Sequence, residues 1–193
     1  MPIQYCLVQG GQVIDGPKFL PKSWMNISGL NLLGPAELKI HGWLTYGNTK
    51  PAFNADTQYL TSEKVVSSGA VDETYTINNY TTEQLASRLV TERTKVLSKI
   101  NQEVNTYINS YYDVGTQQSF TAIYVKYNTQ AVKDYLDPVW NWINTIMAYY
   151  YTKKTEITNA TNINTLKSIV WNFTDTFDET KPNVSLQSLM DSL

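Results

Sequence analysis

The sequence is poor in the residue types that most often carry catalysis and metal binding. Its 193 residues include one histidine, His41, and one cysteine, Cys6. One cysteine forms no intrachain disulfide and no cysteine-based zinc site, which fits folding in a reducing cytoplasm. The alternating Asp and Asn pattern of a calcium loop is also absent. We therefore expect no metal and no cofactor.

Charged residues are scarce as well, and they form no basic block. Asp, Glu, Lys and Arg make up 17% of the chain, and the formal net charge is -2. Binding to nucleic acid requires clustered Lys and Arg that displace counterions, and here they are scattered. No apolar run approaches the roughly 20 residues that span a bilayer, and no export signal is evident. We expect a soluble protein, made in the cytoplasm, that binds neither nucleic acid nor membrane.

Uncharged polar residues and aromatic rings take the place of charge. The sequence contains fourteen tyrosines and five tryptophans. Such rings combine an apolar body with a polar group and are enriched at half-buried and interface positions. The composition therefore favours permanent assembly with other protein subunits.

The first part of the chain has the pattern of a small β module. Strand-prone residues flank the Gly10–Gly11 turn, which predicts a β-hairpin. A second hairpin is predicted from the runs Tyr59–Val66 and Val71–Ile77, because side chains alternate between apolar and polar in the second run. The segment between the hairpins predicts one short helix that begins at Pro35 and ends at Gly42. We expect an antiparallel sheet of about four strands.

The period of the apolar residues becomes helical after the second hairpin. Spacings of three and four predict one long amphipathic helix that begins at Thr81 or Thr82, runs to about Tyr112 and is ended by Gly115. Further helical stretches are predicted at residues 119–129, 132–154 and 162–171.

One of these stretches contains Pro138, which lacks the N–H group that a helix interior requires. Asp137 has the side chain of a good N-cap, so we place the start of this helix near Asp137. For the whole chain we predict an α+β fold, with a β-rich module at residues 1–79 and a helical domain with one long helix at residues 80–193.

His41 is the only imidazole available as a general base, and the sequence offers it no evident partner. No Gly-x-Ser-x-Gly elbow precedes a helix, Cys6 lies inside a predicted strand, and no glycine-rich phosphate loop occurs. His41 directly precedes Gly42, where its ring can interact with the last carbonyl groups of the short helix. We expect His41 to close that helix and the protein not to be an enzyme.

The aromatic run in the second half indicates an interaction surface. Rings at helical spacing face several sides of a helix, and the core of one small domain absorbs only part of them. We expect part of the run to be core and the rest to contact another protein or a glycan. Apolar residues of the tail, ending at Leu193, are expected to pack as a short helix on this chain or on a neighbour. The candidate interaction residues are Trp140, Trp142, Tyr149, Tyr150, Tyr151, Leu189 and Met190.

The first half of the chain contains a set of short motifs in a defined order. Gly-Pro and Leu-Pro pairs precede Trp24 in GPKFLPKSW, and NISG, a short helix ending in GWL, PAFNADTQ, a β-hairpin and TTEQLA follow in that order. In these motifs, residues 1–90 resemble a group of small bacteriophage proteins, the tail-fibre-associated and tail-fibre-assembly-like proteins. The second half shares a loose helical pattern with them. The group offers no catalytic residues to carry over.

The resemblance implies a structural or assembly role in a virion. One form of this role is a component of the tail, the baseplate or the fibre attachment, and the alternative is a chaperone that binds the fibre during assembly. A glycan-binding module is a third, less favoured alternative. The implied partners are other tail or fibre proteins, and the threefold and sixfold symmetry of phage tails implies a trimer or ring.

Overall fold

The structure, a computed structural model, describes residues 3–191, so Leu193 of the expected tail helix lies outside the described residues. The chain forms two compact units, Met1–Thr81 and Thr82–Leu193. Strands dominate the first unit and helices the second, which confirms the predicted α+β fold class.

A five-stranded sheet forms the centre of the first unit. The strands of this unit are β1 (Tyr5–Gln9), β2 (Gln12–Lys18), β3 (Ser23–Trp24), β4 (Ile27–Ser28), β5 (Trp43–Asn48), β6 (Gln58–Ser67) and β7 (Ala70–Asn79). The sheet has the order β2-β1-β5-β7-β6, and β3 and β4 form a separate small hairpin. The two hairpins expected from the sequence, β1 with β2 and β6 with β7, are confirmed.

Strand β5 was not predicted, and it lies at the middle of the sheet. It pairs antiparallel with β1 and parallel with β7. The sheet is therefore mixed, and the expectation of a purely antiparallel sheet of about four strands is wrong. The path of the chain explains the parallel pair. The chain reverses direction between β5 and β6 and again between β6 and β7, so β7 runs in the same direction as β5 when it lies beside it.

The sheet of the first unit separates two small apolar clusters. One cluster contains the buried side chains of Leu7, Leu30, Leu38 and Trp43, the third of which belongs to helix α1 (Pro35–Ile40). The other contains Cys6, Leu44 and Val71. Because neighbouring residues on a strand point to opposite faces, Cys6 and Leu7 place the clusters on opposite sides of the sheet.

The second unit contains two long helices, where one was expected. Its helices are α2 (Thr82–Tyr111), α3 (Val114–Tyr127), α4 (Gln130–Asn159), α5 (Ile163–Ser168), α6 (Phe173–Phe177) and α7 (Leu186–Met190). Both α2 and α4 have 30 residues, and they pack on each other. Between them, α3 packs on α4. The unit has one continuous apolar core.

Helix α4 runs through Pro138, so the prediction that it starts near Asp137 is wrong. Its N-cap is Thr129, whose side-chain oxygen accepts a hydrogen bond of 3.3 Å from the Val132 N–H. Asp137 lies inside the helix and is not its N-cap. Its carboxylate accepts a hydrogen bond of 3.1 Å from the Tyr124 hydroxyl. Leu136 and Val139, on either side of the proline, are buried in the core, and this packing outweighs the cost of about 3 kcal/mol of an interior proline.

Gly115 does not end the first long helix, contrary to the prediction. Helix α2 ends at Tyr111, and Asp113 then serves as the N-cap of α3, because its carboxylate accepts a hydrogen bond of 2.7 Å from the Thr116 N–H. Gly115 lies in the first turn of α3. An N-cap at Asp113 therefore marks the break between the two helices.

Candidate interaction surfaces

The end of helix α1 places His41 where the sequence analysis expected it. The backbone N–H of His41 donates a hydrogen bond of 3.0 Å to the Leu38 carbonyl oxygen, and Gly42 follows in a left-handed conformation. The contact with the last carbonyl groups therefore comes from the main chain and not from the imidazole. Over residues 3–191, the imidazole forms no hydrogen bond or ion pair with the side chain of a Ser, Cys, Asp or Glu.

Cys6, the single cysteine, is a core residue of strand β1, as expected from the sequence. Burial raises the pKa of its thiol, which is opposite to the shift that activates a thiolate nucleophile. Among residues 3–191, no group of three or more His, Cys, Asp or Glu side chains is placed to hold a metal ion. In the same range, no helix combines the length and the apolar character needed to span a bilayer.

Three of the predicted interaction residues are buried within the helical unit. The side chain of Trp142 is 4% exposed, and its Nε1 donates a hydrogen bond of 3.1 Å to the Phe177 carbonyl oxygen. Tyr150 is also buried on α4, and Leu189 is completely buried on α7. These side chains hold the helices of their own unit together and present no surface to a partner.

The other predicted residues lie nearer to the surface. Tyr149 is half-buried, and its ring packs edge-to-face on Phe177, with 5.5 Å between the ring centroids. Trp140 is half-buried as well, whereas Tyr151 and Met190 are 55% and 57% exposed. The interaction role of these four residues remains a prediction. Sequence periodicity could not sort the run into buried and exposed rings, because that depends on which helices cover α4.

A shallow groove beside α3 contains Trp140. Its apolar lining comes from Val114, Ala122 and Val125 of α3 together with Trp140 of α4. Val114 and Val125 are exposed, although both are large aliphatic residues. The groove therefore combines an aromatic ring with uncovered aliphatic side chains, which is the composition of a protein contact.

A second depression lies in the first unit, and the sequence analysis missed it. We name it the Met25 cleft, after the residue at the turn between β3 and β4. Ile14 of β2, Met25 of that turn and Ile40 of α1 line it, and their side chains are 54%, 80% and 81% exposed. The sequence does place a large apolar residue at three positions that are usually polar: an edge strand, a tight turn and the end of a helix.

A polar network occupies the sheet near the cluster of Cys6. The Glu73 carboxylate accepts hydrogen bonds from the Tyr46 hydroxyl and, at 2.6 Å, from the Ser62 hydroxyl. These bonds lower the pKa of Glu73. Burial and the neighbouring carboxylate raise the pKa of Tyr46 to about 12, so its phenol stays protonated as a hydrogen-bond donor.

The same network ties the outer strands of the sheet together. Lys64 of β6 is the cross-strand partner of Glu73, and its Nζ donates a hydrogen bond of 2.9 Å to the Gly16 carbonyl oxygen of β2. The sheet therefore curls enough for its two outermost strands to meet. The signal in the sequence was Glu73 itself, a carboxylate on the otherwise apolar face of β7.

No protein family, no curated protein and no solved structure was found to match this chain. Its function must therefore be inferred from its own residues, its geometry and the motifs of its first half.

Proposed function

We propose that this protein is a structural component of a bacteriophage virion, in the tail, the baseplate or the attachment of a tail fibre, and that it acts through protein-protein contacts. The motif set in residues 1–90 supports the placement in a virion. The observation that carries the mode of action is the exposure of large apolar side chains in both units. Exposed by at least half are Ile3, Ile14, Phe19, Met25, Leu32, Ile40, Val90, Val114, Val125, Tyr151, Val170 and Met190.

Single exposed apolar residues are ordinary, but convergent ones indicate an interface. Two sets converge here, one in the Met25 cleft and one in the α3 groove. Full burial of a side chain of this size contributes about 1.5–3 kcal/mol, so a few of them offset much of the cost of association. One lysine lies at each set, Lys39 at the Met25 cleft and Lys126 at the α3 groove, so a partner must offer an acceptor to these ammonium groups when it binds.

Mass spectrometry of purified particles tests this proposal directly. A virion component is present in mature particles at a copy number fixed relative to known tail proteins, and native mass spectrometry of the isolated protein should show the trimer or ring that tail symmetry favours. Absence from mature particles contradicts the proposal and leaves the fibre-assembly chaperone, which uses the same apolar surfaces but departs.

A glycan array separates the third alternative from both. Trp142 is buried and unavailable for stacking on a sugar ring, which leaves Trp140 as the candidate on α4. Glycan binding that is lost on Trp140→Ala would favour the glycan-binding module over the protein-contact proposal.

A further inference from the structure

We propose that the Met25 cleft binds an apolar segment of another protein that carries a carboxylate next to its apolar side chains. The inference deepens the proposed function, on which it rests, because it names the surface and the chemistry of the partner. Three observations carry it: convergence of exposed apolar side chains, backbone strain at Met25 and a lysine in the lining, Lys39, that forms no ion pair with the residues that the structure describes.

The apolar lining comes from three separate elements of the first unit. Ile14, Met25 and Ile40 belong to a strand, a turn and a helix, and they border one cleft of about 570 Å³. Trp24 forms part of the wall, and its ring meets Trp43 of the core at 85°, with 5.9 Å between the ring centroids. The cleft is therefore an exposed extension of the core cluster of Leu7 and Trp43.

The backbone at Met25 is strained, because the first position of the two-residue turn between β3 and β4 requires a positive φ and a methionine occupies it. Its φ of 51° lies in the left-handed region, which is favourable for Gly and Asn and costly for other residues. The methionine side chain is nevertheless 80% exposed, so burial in its own unit returns little of that cost. Methionine is flexible and polarisable and adapts to the shape of a bound partner, which is a reason to hold it at this position.

Charge on the rim decides which kind of partner fits. Lys39 and His41 line the cleft, and no carboxylate does. The ion pairs between side chains within residues 3–191 lie elsewhere, so Lys39 has no counter-charge there. Two copies of this surface placed face to face would bring two Lys39 side chains together, which disfavours a symmetric dimer through the cleft. A partner with a carboxylate beside its apolar residues satisfies the lysine and the imidazole N–H.

The experiment is selection of a displayed library of random 12-residue peptides on the immobilised full-length protein. We expect enriched peptides to combine aliphatic or aromatic residues with Asp or Glu. Met25→Gly, Ile40→Ser and Lys39→Glu should each weaken the selected peptides at least about tenfold, since truncating a central contact of an interface has effects of this size. Circular dichroism shows whether each variant keeps the fold.

Leu32→Ser is the matched control, because Leu32 is 83% exposed in the same unit and does not line the cleft. It should leave the affinity unchanged. The inference is overturned by a failure to enrich any peptide, by enriched peptides that are basic or lack acidic residues, or by affinities that survive Met25→Gly and Ile40→Ser. Particle mass spectrometry tests the proposed function without using this cleft, so the two can fail separately.

Discussion

The two units of this protein bury their apolar side chains in different ways. The first unit divides a handful of buried residues between two clusters on opposite faces of one sheet. The helical unit gathers its buried residues in one continuous core, in which Trp142 contacts the rings of Tyr107, Tyr111 and Tyr112. The fold of the first unit therefore depends more on close backbone fit, and that of the second on packed side chains.

Both units contain a tyrosine that donates a hydrogen bond to a carboxylate. In the first unit Tyr46 bonds to Glu73, and in the second Tyr107 bonds to Asp178, with 2.6 Å between the oxygens. Each carboxylate has a lowered pKa and each of these tyrosines a raised one. In the helical unit the pair accompanies a large aromatic core, whereas in the first unit it lies beside a cluster of three buried residues.

Trp142→Ala should have the largest effect on stability, because it removes the centre of the helical core. The truncation leaves a cavity between α2, α4 and α6 and removes one of the two side-chain hydrogen bonds to the Phe177 carbonyl oxygen, the other coming from the Thr180 hydroxyl at 3.0 Å. We expect the free energy of unfolding of the helical unit to fall by about 3–5 kcal/mol. Denaturant unfolding followed by circular dichroism at 222 nm measures it.

The matched control is Tyr151→Ala, an aromatic truncation on the same helix at a side chain that is 55% exposed. It should change the free energy of unfolding by no more than about 0.5 kcal/mol. Equal effects of the two substitutions would contradict the conclusion that the helical unit depends on its aromatic core.

Gly42→Ala should be a strongly damaging small change in the first unit. Gly42 has a φ of 79°, and a Cβ there would lie 2.5 Å from the Val8 carbonyl oxygen. The two strands cannot move apart easily, because the Val8 N–H donates a hydrogen bond of 2.8 Å to the Gly42 carbonyl oxygen. We expect a loss of about 2 kcal/mol or more, seen as faster amide hydrogen exchange in β1 and β5 with α2 and α4 unchanged.

Gly34→Ala provides the comparison for that result. Gly34 has a φ of -73°, and the nearest atom to a Cβ there is the end of the flexible Glu37 side chain at 3.8 Å. Its cost should stay below about 1 kcal/mol. If both substitutions cost the same, close backbone fit at Gly42 is not what holds the first unit together.

Local signals predicted the elements that local interactions determine. Helix α1, with Pro35 at its start and Gly42 at its end, and the two hairpins were all predicted from the sequence. Strand β5 was not, because its partners β1 and β7 are far away in sequence and Gly47 weakens its strand pattern. Pro138 misled the prediction of α4 because tertiary packing overrides local preference there.

The candidate surfaces could be predicted only in part for a similar reason. The aromatic run was evident in the sequence, but its division into buried Trp142 and exposed Tyr151 depends on the packing of other helices on α4. The Met25 cleft joins residues from three elements, which no sequence pattern connects. Composition therefore indicates that surplus apolar side chains exist, and the fold determines where they meet.

The dependence of the first unit on its polar network should appear at acid pH. Hydrogen bonds from Ser62 and Tyr46 lower the pKa of Glu73 in the folded state. A lowered pKa stabilises the fold above the unfolded pKa of Glu, and that stability is lost as the pH falls through the lower folded value. Glu73→Gln should therefore flatten the acid side of the stability-pH profile, measured by urea unfolding between about pH 2 and pH 6.

Glu63→Gln is the control for this profile, since Glu63 lies on the neighbouring strand and is exposed. It should leave the acid side of the stability-pH profile unchanged. A profile that Glu73→Gln does not alter would mean that the network around Tyr46 contributes nothing to the stability of the first unit.

Met25→Gly should have only a small effect on the stability of the first unit. Glycine adopts a φ of 51° without strain, which offsets the greater entropy of the unfolded chain, and the lost side chain is 80% exposed. We expect the free energy of unfolding to change by less than about 1 kcal/mol. Met25→Ala keeps a Cβ in the strained conformation and should be less stable than Met25→Gly by about 1 kcal/mol. If the glycine variant were instead clearly destabilised, Met25 would contribute to the fold of its own unit, and its exposure would need no partner to explain it.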